Sequence, residues 1–279
     1  MPLACTDDAL EPVLHALADA ARAPALRHFR NPELAADNKD AAGYDPVTAA
    51  DRETEDAMRA VLAGLRPDDG ILGEERGASE GTSGLRWVID PIDGTRAYVI
   101  GAPTWGVLVG LRDDTGGAPR ARLGAMDQPW TGDRFWGDGR SAWAARPGLD
   151  GPAGGPTDGP RRIRASGCTA LADARICSTF PEVGSKAEGA AFAALAARCR
   201  LTRYGLDCTA YALLAAGCVD LVVEAGLNAY DIMPLLPIIE GAGGVVTTWA
   251  GGPALDGGRV IAAATPALHA AALELLSSV

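Results

Sequence analysis

The residues Trp87 to Val99, "WVIDPIDGTRAYV", place Asp90 and Asp93 three positions apart around a proline and an isoleucine, directly before a Gly-Thr. The apolar run Trp87 to Ile89 predicts a strand, with Asp90 at its carboxyl end, Pro91 holding its direction and Asp93 after a tight turn. With the peptide carbonyl of Ile92 between them, the segment offers three hard oxygens, a donor set that suits Mg²⁺ better than zinc. Gly94 and Thr95 open a predicted helix, whose first N–H groups and positive dipole end make an anion site beside the metal. Metal oxygens on one side and phosphate-binding amides on the other are the parts of a metal-assisted phosphoryl hydrolase. A lone Asp-Gly-Thr is more often a helix cap. Two carboxylates crowded at one strand end, however, cost stability by mutual repulsion unless a cation lies between them.

Other acidic groups fall in comparable places. "GILGEE" reads as a short strand ending in Glu74 and Glu75, and "NAYDIMP" begins a helix with Asp231. Each alone suits a cap or a solvated loop; together they can complete a ligand set.

The elements that must position these groups follow from periodicity. Leu10, Val13, Leu14 and Leu17 predict an amphipathic helix from Asp7 to about Phe29. After a polar, extended passage, Thr48 is the candidate cap of a second helix with Met58, Val61, Leu62 and Leu65 as its apolar stripe. From Arg86 to Trp143, "RWVID", "WGVLVGLR", "ARLGAMD" and "RFWG" read as strands of a largely antiparallel sheet. Residues 146 to 162 hold nine Gly or Pro in seventeen, a composition that suits a solvated connection. We place a domain boundary there, between an α+β half (1–150) and an α/β half (160–279). In the second half strands alternate with helices, among them "CTAYALLAAG" and "IMPLLPIIEGAG", so ligands are expected where strands end and helices begin.

Bulk composition narrows the partners. The 279 residues carry 25 Lys plus Arg against 36 Asp plus Glu, a net charge of −11 that would repel a phosphate backbone, which excludes polymeric nucleic acid. No window is apolar enough to span a membrane, and the N-terminal stretch lacks the basic start and apolar core of a signal peptide, so a cytoplasmic location is expected. The six cysteines show no C-x-x-C pair and the three histidines lie apart from them, so reduced, mostly buried thiols are expected rather than zinc or disulfides.

"YDPVTAADRETE", "ILGEE", "DPIDGT" and "AYDIMPLLPIIEGAGG", in this order and spacing, resemble the inositol monophosphatase superfamily of Mg²⁺-dependent phosphatases over about Lys39 to Gly244. The resemblance implies a layered αβαβα sugar-phosphatase sandwich and commonly a homodimer. It implies that Glu74, Asp90, the carbonyl of Ile92, Asp93 and Asp231 coordinate two or three Mg²⁺. It further implies that Thr95 with Glu74 orients the attacking water, that Asp51 holds the Thr95 hydroxyl, that the amides of Gly94 and Thr95 bind phosphate, and that Lys39 lies near the metals. Tyr230 stands where many relatives have tryptophan, and Arg96-Ala97 replaces the commoner Thr-Asn; neither position is a ligand, so they bear on substrate rather than activity.

Substrate contacts in the family come from Asp93 and, in the second half, from positions matching Asp207 and Glu224; Arg96 adds a charge just beyond the shared motif. Asp207 stands where inositol-specific relatives have a small apolar residue. A second anionic wall gains little from inositol hydroxyls, whereas a cationic amine gains a charge-assisted hydrogen bond of ~1.5 to 3 kcal/mol, roughly ten- to a hundredfold in affinity. "DGTRAYV", "PTWGVLVGL", "RYGLDC" and "EAGLNAYDI" are similar to the histidinol-phosphatase branch. The expected substrate is therefore the small phosphate ester L-histidinol phosphate, a precursor in histidine biosynthesis. An inositol-phosphate or broad sugar or nucleotide phosphatase is the alternative, and a non-catalytic descendant would have no reason to keep every ligand. Asp207 as a mere helix cap, and Trp105 and Trp130 as core or turn residues, are the plainer expectations beside these.

Overall fold

The computed structural model describes residues 7–34, 36–38, 46–145 and 159–276. Lys39 and most of the Gly/Pro-rich connection, residues 146–158, lie outside the described residues. The first half runs through helix α1 (Asp7–His28), strands β1 (Ala36–Asn38) and β2 (Pro46–Thr48), helix α2 (Ala49–Leu65), strands β3 (Gly70–Gly73), β4 (Gly77–Ser79) and β5 (Leu85–Asp93), the short helix α3 (Thr95–Val99), and strands β6 (Gly106–Asp113), β7 (Arg120–Gln128), β8 (Asp133–Gly137) and β9 (Ala142–Ala145). The second half continues with β10 (Arg161–Arg162), β11 (Arg175–Ser178), α4 (Lys186–Ala196), β12 (Leu201–Tyr204), α5 (Cys208–Ala215), β13 (Leu221–Leu227), α6 (Ala229–Ile232), α7 (Leu236–Gly241), β14 (Val245–Thr248), β15 (Gly258–Ala263) and α8 (Pro266–Leu276).

Eight strands form one sheet in the order β10-β9-β8-β7-β6-β5-β3-β4, antiparallel except for the parallel pair β3–β5. Five form a second, β12-β11-β13-β15-β14, with β11 parallel to both neighbours and the other pairs antiparallel. The period of two along each strand sorts side chains between layers. Val107, Val109 and Leu111 of β6 pack with Leu10, Leu14, Met58 and Leu62 of α1 and α2, whereas Leu108 faces the other way and packs with α5, α7 and Val222 of β13. On β13, Leu221 and Val223 face α4 and α8. The layers are thus α1/α2, the large sheet, α5 to α7, the small sheet, and α4/α8, the αβαβα sandwich expected. Each fully buried Leu, Ile or Val contributes ~1.5 to 3 kcal/mol through removal from water.

Some expectations need correcting. "IMPLLPIIEGAG" is not one helix: α6 ends at Ile232, a 3₁₀ turn covers Met233–Leu235, and α7 follows, because Pro234 and Pro237 lack the amides a continuous helix needs. Arg161 and Arg162, grouped with the second half, pair with β9 and extend the large sheet. Of the five described cysteines, Cys177 and Cys208 are buried, Cys168 and Cys199 partly so, and Cys218 is exposed, with no disulfide among them. The middle layer sits so close to the large sheet that a Cβ on Gly124 would meet the backbone of Pro234, so only glycine fits there.

Candidate active site

Parallel β3 and β5 end on the same side, which brings Glu74 beside the aspartates of β5; its amide donates to the Ile89 carbonyl at 3.3 Å. In a regular strand, residues three apart point to opposite faces. Here β5 pairs Asp90 with Leu108 and Asp93 with Gly106, so two residues, Pro91 and Ile92, oppose the single Val107. This bulge turns both carboxylates to one side. Asp90 Oδ1 accepts from the Ile92 amide at 3.0 Å, which fixes the turn. Across the interface α6 brings Asp231 forward, its Oδ2 accepting from the Asn228 amide at 2.7 Å. Carboxylate oxygens of Asp90, Asp93 and Asp231 then lie within 4.8 Å of one another.

These residues face a cavity of about 290 Å³ whose walls also include Glu74, Ile92, Gly94, Thr95, Arg96, Thr179, Phe180, Asp207, Tyr211 and Glu224. Ten of the eleven described residues expected at the site from sequence meet here. The eleventh, Asp51, stands behind them: buried in α2, its Oδ2 accepts from the amide and hydroxyl of Thr48, both at 2.7 Å, and its Oδ1 lies 3.5 Å from the Thr95 hydroxyl. Thr48 caps α2 as the sequence suggested, accepting from the Ala50 amide at 3.1 Å. The Thr95 hydroxyl is 3.1 Å from the Ile92 carbonyl.

Electrostatics mark the cluster as strained without a cation. Burial, then repulsion from Glu74, Asp93 and Asp231, pushes the Asp90 carboxyl well above the usual range. Burial, then repulsion from Asp207 and Asp231, does the same to Asp93, opposed by the Cys208 hydrogen bond. Asp90 and Asp93 resist ionising together, and with Asp231 beside them they form a hard-oxygen donor set that fits a divalent cation, which would replace the protons of the two.

Asp207 does not cap α5. It occupies the cap position at φ 47°, ψ −139°, a conformation costly for any residue but glycine, and makes no side-chain bond to the helix amides. The Cys208 amide is taken by Asp93 Oδ2 at 2.7 Å. Asp207 Oδ2 is 3.4 Å from the Thr104 hydroxyl, and burial pushes its carboxyl up to about 6, opposed by Thr104 and Arg96. Glu224 has the parity of Val222 and so faces the cavity rather than α4 and α8. Sequence reasoning missed Thr104, Thr179, Tyr211 and Phe180. Tyr211 lies four residues after Asp207, one helical turn on, a spacing that could have pointed to it; loop residues such as Thr179 carry no such signal. Arg96 lies over the Phe180 ring at 4.5 Å. Trp105 is buried among Phe29 and Tyr98, and Trp130 packs under Arg30, so neither lines the cavity.

Two sheets in an αβαβα sandwich, with an acidic cleft suited to a divalent cation at their strand ends, are the frame in which one family of metal-dependent phosphatases places its site. The sequence profile of the inositol monophosphatase family matches residues 7–279, and the chain belongs to that family. It is 33% identical to a histidinol-phosphatase of Streptomyces coelicolor, over 91% of this chain and 92% of that one. It is 35% identical to an inositol-1-monophosphatase of Mesorhizobium japonicum over 78% of each. A solved inositol monophosphatase from Zymomonas mobilis superposes with a TM-score of 0.81 at 37% identity, covering 99% of both chains. No described helix is long and apolar enough to cross a membrane.

Proposed function

We propose that this phosphatase hydrolyses L-histidinol phosphate to L-histidinol and inorganic phosphate, using Mg²⁺. Glu74, Asp90, the Ile92 carbonyl, Asp93 and Asp231 would hold two or three ions. Bound there, the ions would polarise the phosphoryl oxygens and lower the pKa of a water. With its proton turned to Asp51, the Thr95 hydroxyl would offer its lone pairs to one proton of that water, and Glu74 would accept the other. Gly94 and Thr95 would present amides to the phosphate, and Arg96 adds positive charge at the cavity wall.

The observation that carries the choice of substrate is Asp207: a half-buried carboxylate held in a costly backbone conformation, freed from capping by Asp93 and placed on the cavity with Glu224. Two carboxylates outside the metal cluster suit a substrate bearing an ammonium group, and the histidinol-phosphatase relatives agree. The inositol monophosphatases at similar identity support a second reading, an inositol-1-phosphate or broader sugar or nucleotide phosphatase with the same metals. A homodimer in the cytoplasm, with the chain divided near residues 146–162, completes the proposal.

Phosphate release from L-histidinol phosphate, inositol 1-phosphate, fructose 1,6-bisphosphate and adenosine 3′,5′-bisphosphate, with Mg²⁺ or chelator, tests it. L-histidinol phosphate should lead in kcat/KM, and Asp207→Ala should raise its KM roughly ten- to a hundredfold while sparing neutral-alcohol esters. Inositol 1-phosphate turned over well ahead of it would overturn the assignment.

A further inference from the structure

Glu224 is 6% exposed and sits on β13, yet the groups that hold it belong to the end of β11 and the loop after it. Its Oε1 accepts from the Thr179 amide at 2.6 Å and from the Thr179 hydroxyl at 2.9 Å, and its Oε2 accepts from the Ser178 hydroxyl at 3.2 Å. Oε1 is thereby saturated by one residue, while Oε2 has a single long partner, and the residue lines the cavity. We propose that Thr179 is a positioning residue for substrate selection: its hydroxyl fixes the Glu224 carboxylate in orientation, so that it can receive a cationic group on the substrate's alcohol portion. This rests on the reading that Glu224 meets an aminated substrate.

The chemistry follows from what surrounds the carboxyl. Burial, with the negative charge of Asp207, favours the protonated form and pushes Glu224 up to about 7; the hydrogen bonds from Thr179 and Ser178 oppose that rise. Tyr211 on α5 and Cys177 on β11 are themselves pushed up by burial and by Glu224, so neither carries a charge that could hold the carboxylate. Glu74, Asp90, Asp93 and Asp231 share the cavity wall and are acidic, and Arg96 there lies over Phe180 and acts on Asp207. The hydrogen-bond donors Thr179 and Ser178 are what hold the charged form, and a protonated Glu224 would offer an ammonium group no ion pair. The amide of Thr179 cannot be removed by substitution, but the hydroxyl can. Valine is close to threonine in shape, so Thr179→Val removes one donor from Oε1 and little else; Thr179→Ser restores it.

The experiment follows kcat and KM from pH 6 to 9 in Mg²⁺ for L-histidinol phosphate and for inositol 1-phosphate, in the wild type, Thr179→Val and Thr179→Ser, and titrates the Glu224 carboxyl by carbon NMR with ¹³C-labelled glutamate, using Glu224→Gln to assign the resonance. Thr179→Val should raise KM for the aminated ester about fivefold near pH 7 and about twofold one pH unit higher, leave kcat within about twofold, and spare inositol 1-phosphate. Thr179→Ser should behave as wild type. The Glu224 titration should move up by about one unit in Thr179→Val. A KM defect equal for both esters and flat in pH, or failure of serine to rescue, overturns the proposal. The two readouts separate the hypotheses: kinetics in which the wild type prefers inositol 1-phosphate defeat the substrate assignment, whereas an unmoved Glu224 resonance defeats the role of Thr179.

Discussion

The Cys208 amide donates to Asp93 Oδ2 at 2.7 Å, so the carboxylate that ends β5 also holds the first amide of α5. One side chain thereby couples the acidic cluster to the start of α5, where Asp207 stands. Asp93→Asn keeps an acceptor for that amide while removing a negative charge from the cluster. The variant should fold with a Tm within a few degrees of wild type and lose Mg²⁺-dependent phosphate release by more than about a hundredfold, with Mg²⁺ binding weakened in calorimetry. Retained turnover would break the metal assignment.

Gly94 meets Asp207 from the other side. Its φ is +85°, and a Cβ there would lie 2.9 Å from Asp207 Cγ. Gly94→Ala therefore combines a left-handed alanine, costing ~1 to 3 kcal/mol, with displacement of Asp207. The expected result is a Tm lower by several degrees and a larger KM increase for L-histidinol phosphate than for inositol 1-phosphate. Equal increases for the two esters would show that Asp207 does not select between them.

Much of this was legible in the sequence because it depends on local pattern. The apolar stripes of α1 and α2, the alternation of the second half and the Asp-Pro-Ile-Asp-Gly-Thr run located the layers and the acidic residues. Two bulges were not legible. In β5 the extra residue between Asp90 and Asp93 makes carboxylates three apart point one way, and in β13 Ala225 and Gly226 oppose the single Arg259 just after Glu224. Bulges are set by pairing with a neighbouring strand, which a single segment does not display. For the same reason the partners of Glu224 and Asp207, drawn from residues 45 and 103 positions away, could not be read from spacing.

The raised pKa of Glu224 predicts how stability changes with pH in the metal-free protein. Its ordinary value is 4.5 and the folded value about 7, so between these the folded state binds the proton more firmly than the unfolded chain. Its contribution to stability therefore falls as pH rises through that window and is flat above it. Glu224→Gln cannot ionise and keeps acceptors for Thr179. In chelator, its Tm should exceed that of wild type at pH 8, and the gap should close as pH falls toward 4.5. A gap that does not change with pH would mean that Glu224 is not penalised by burial.

The Thr95 hydroxyl has one proton and two acceptors within reach, the Ile92 carbonyl at 3.1 Å and Asp51 Oδ1 at 3.5 Å. Asp51 Oδ2 is already taken by the amide and hydroxyl of Thr48, so its Oδ1 is aimed at Thr95 by the same capping box that starts α2. Were the Ile92 carbonyl engaged by a cation, the proton would turn to Asp51, and the hydroxyl lone pairs would then face the cavity, where they can accept from a water. Thr95→Val preserves the packing but neither donates to Asp51 nor accepts from the water. It should lower kcat by about a hundredfold or more, the range of a positioned proton-handling group, with KM changed by only a few-fold and Tm unaltered. Thr95→Ser should keep most of the rate. If Thr95→Val retained more than about a tenth of wild-type kcat, the water would have to be held elsewhere, with Glu74 as the remaining candidate on the cavity wall.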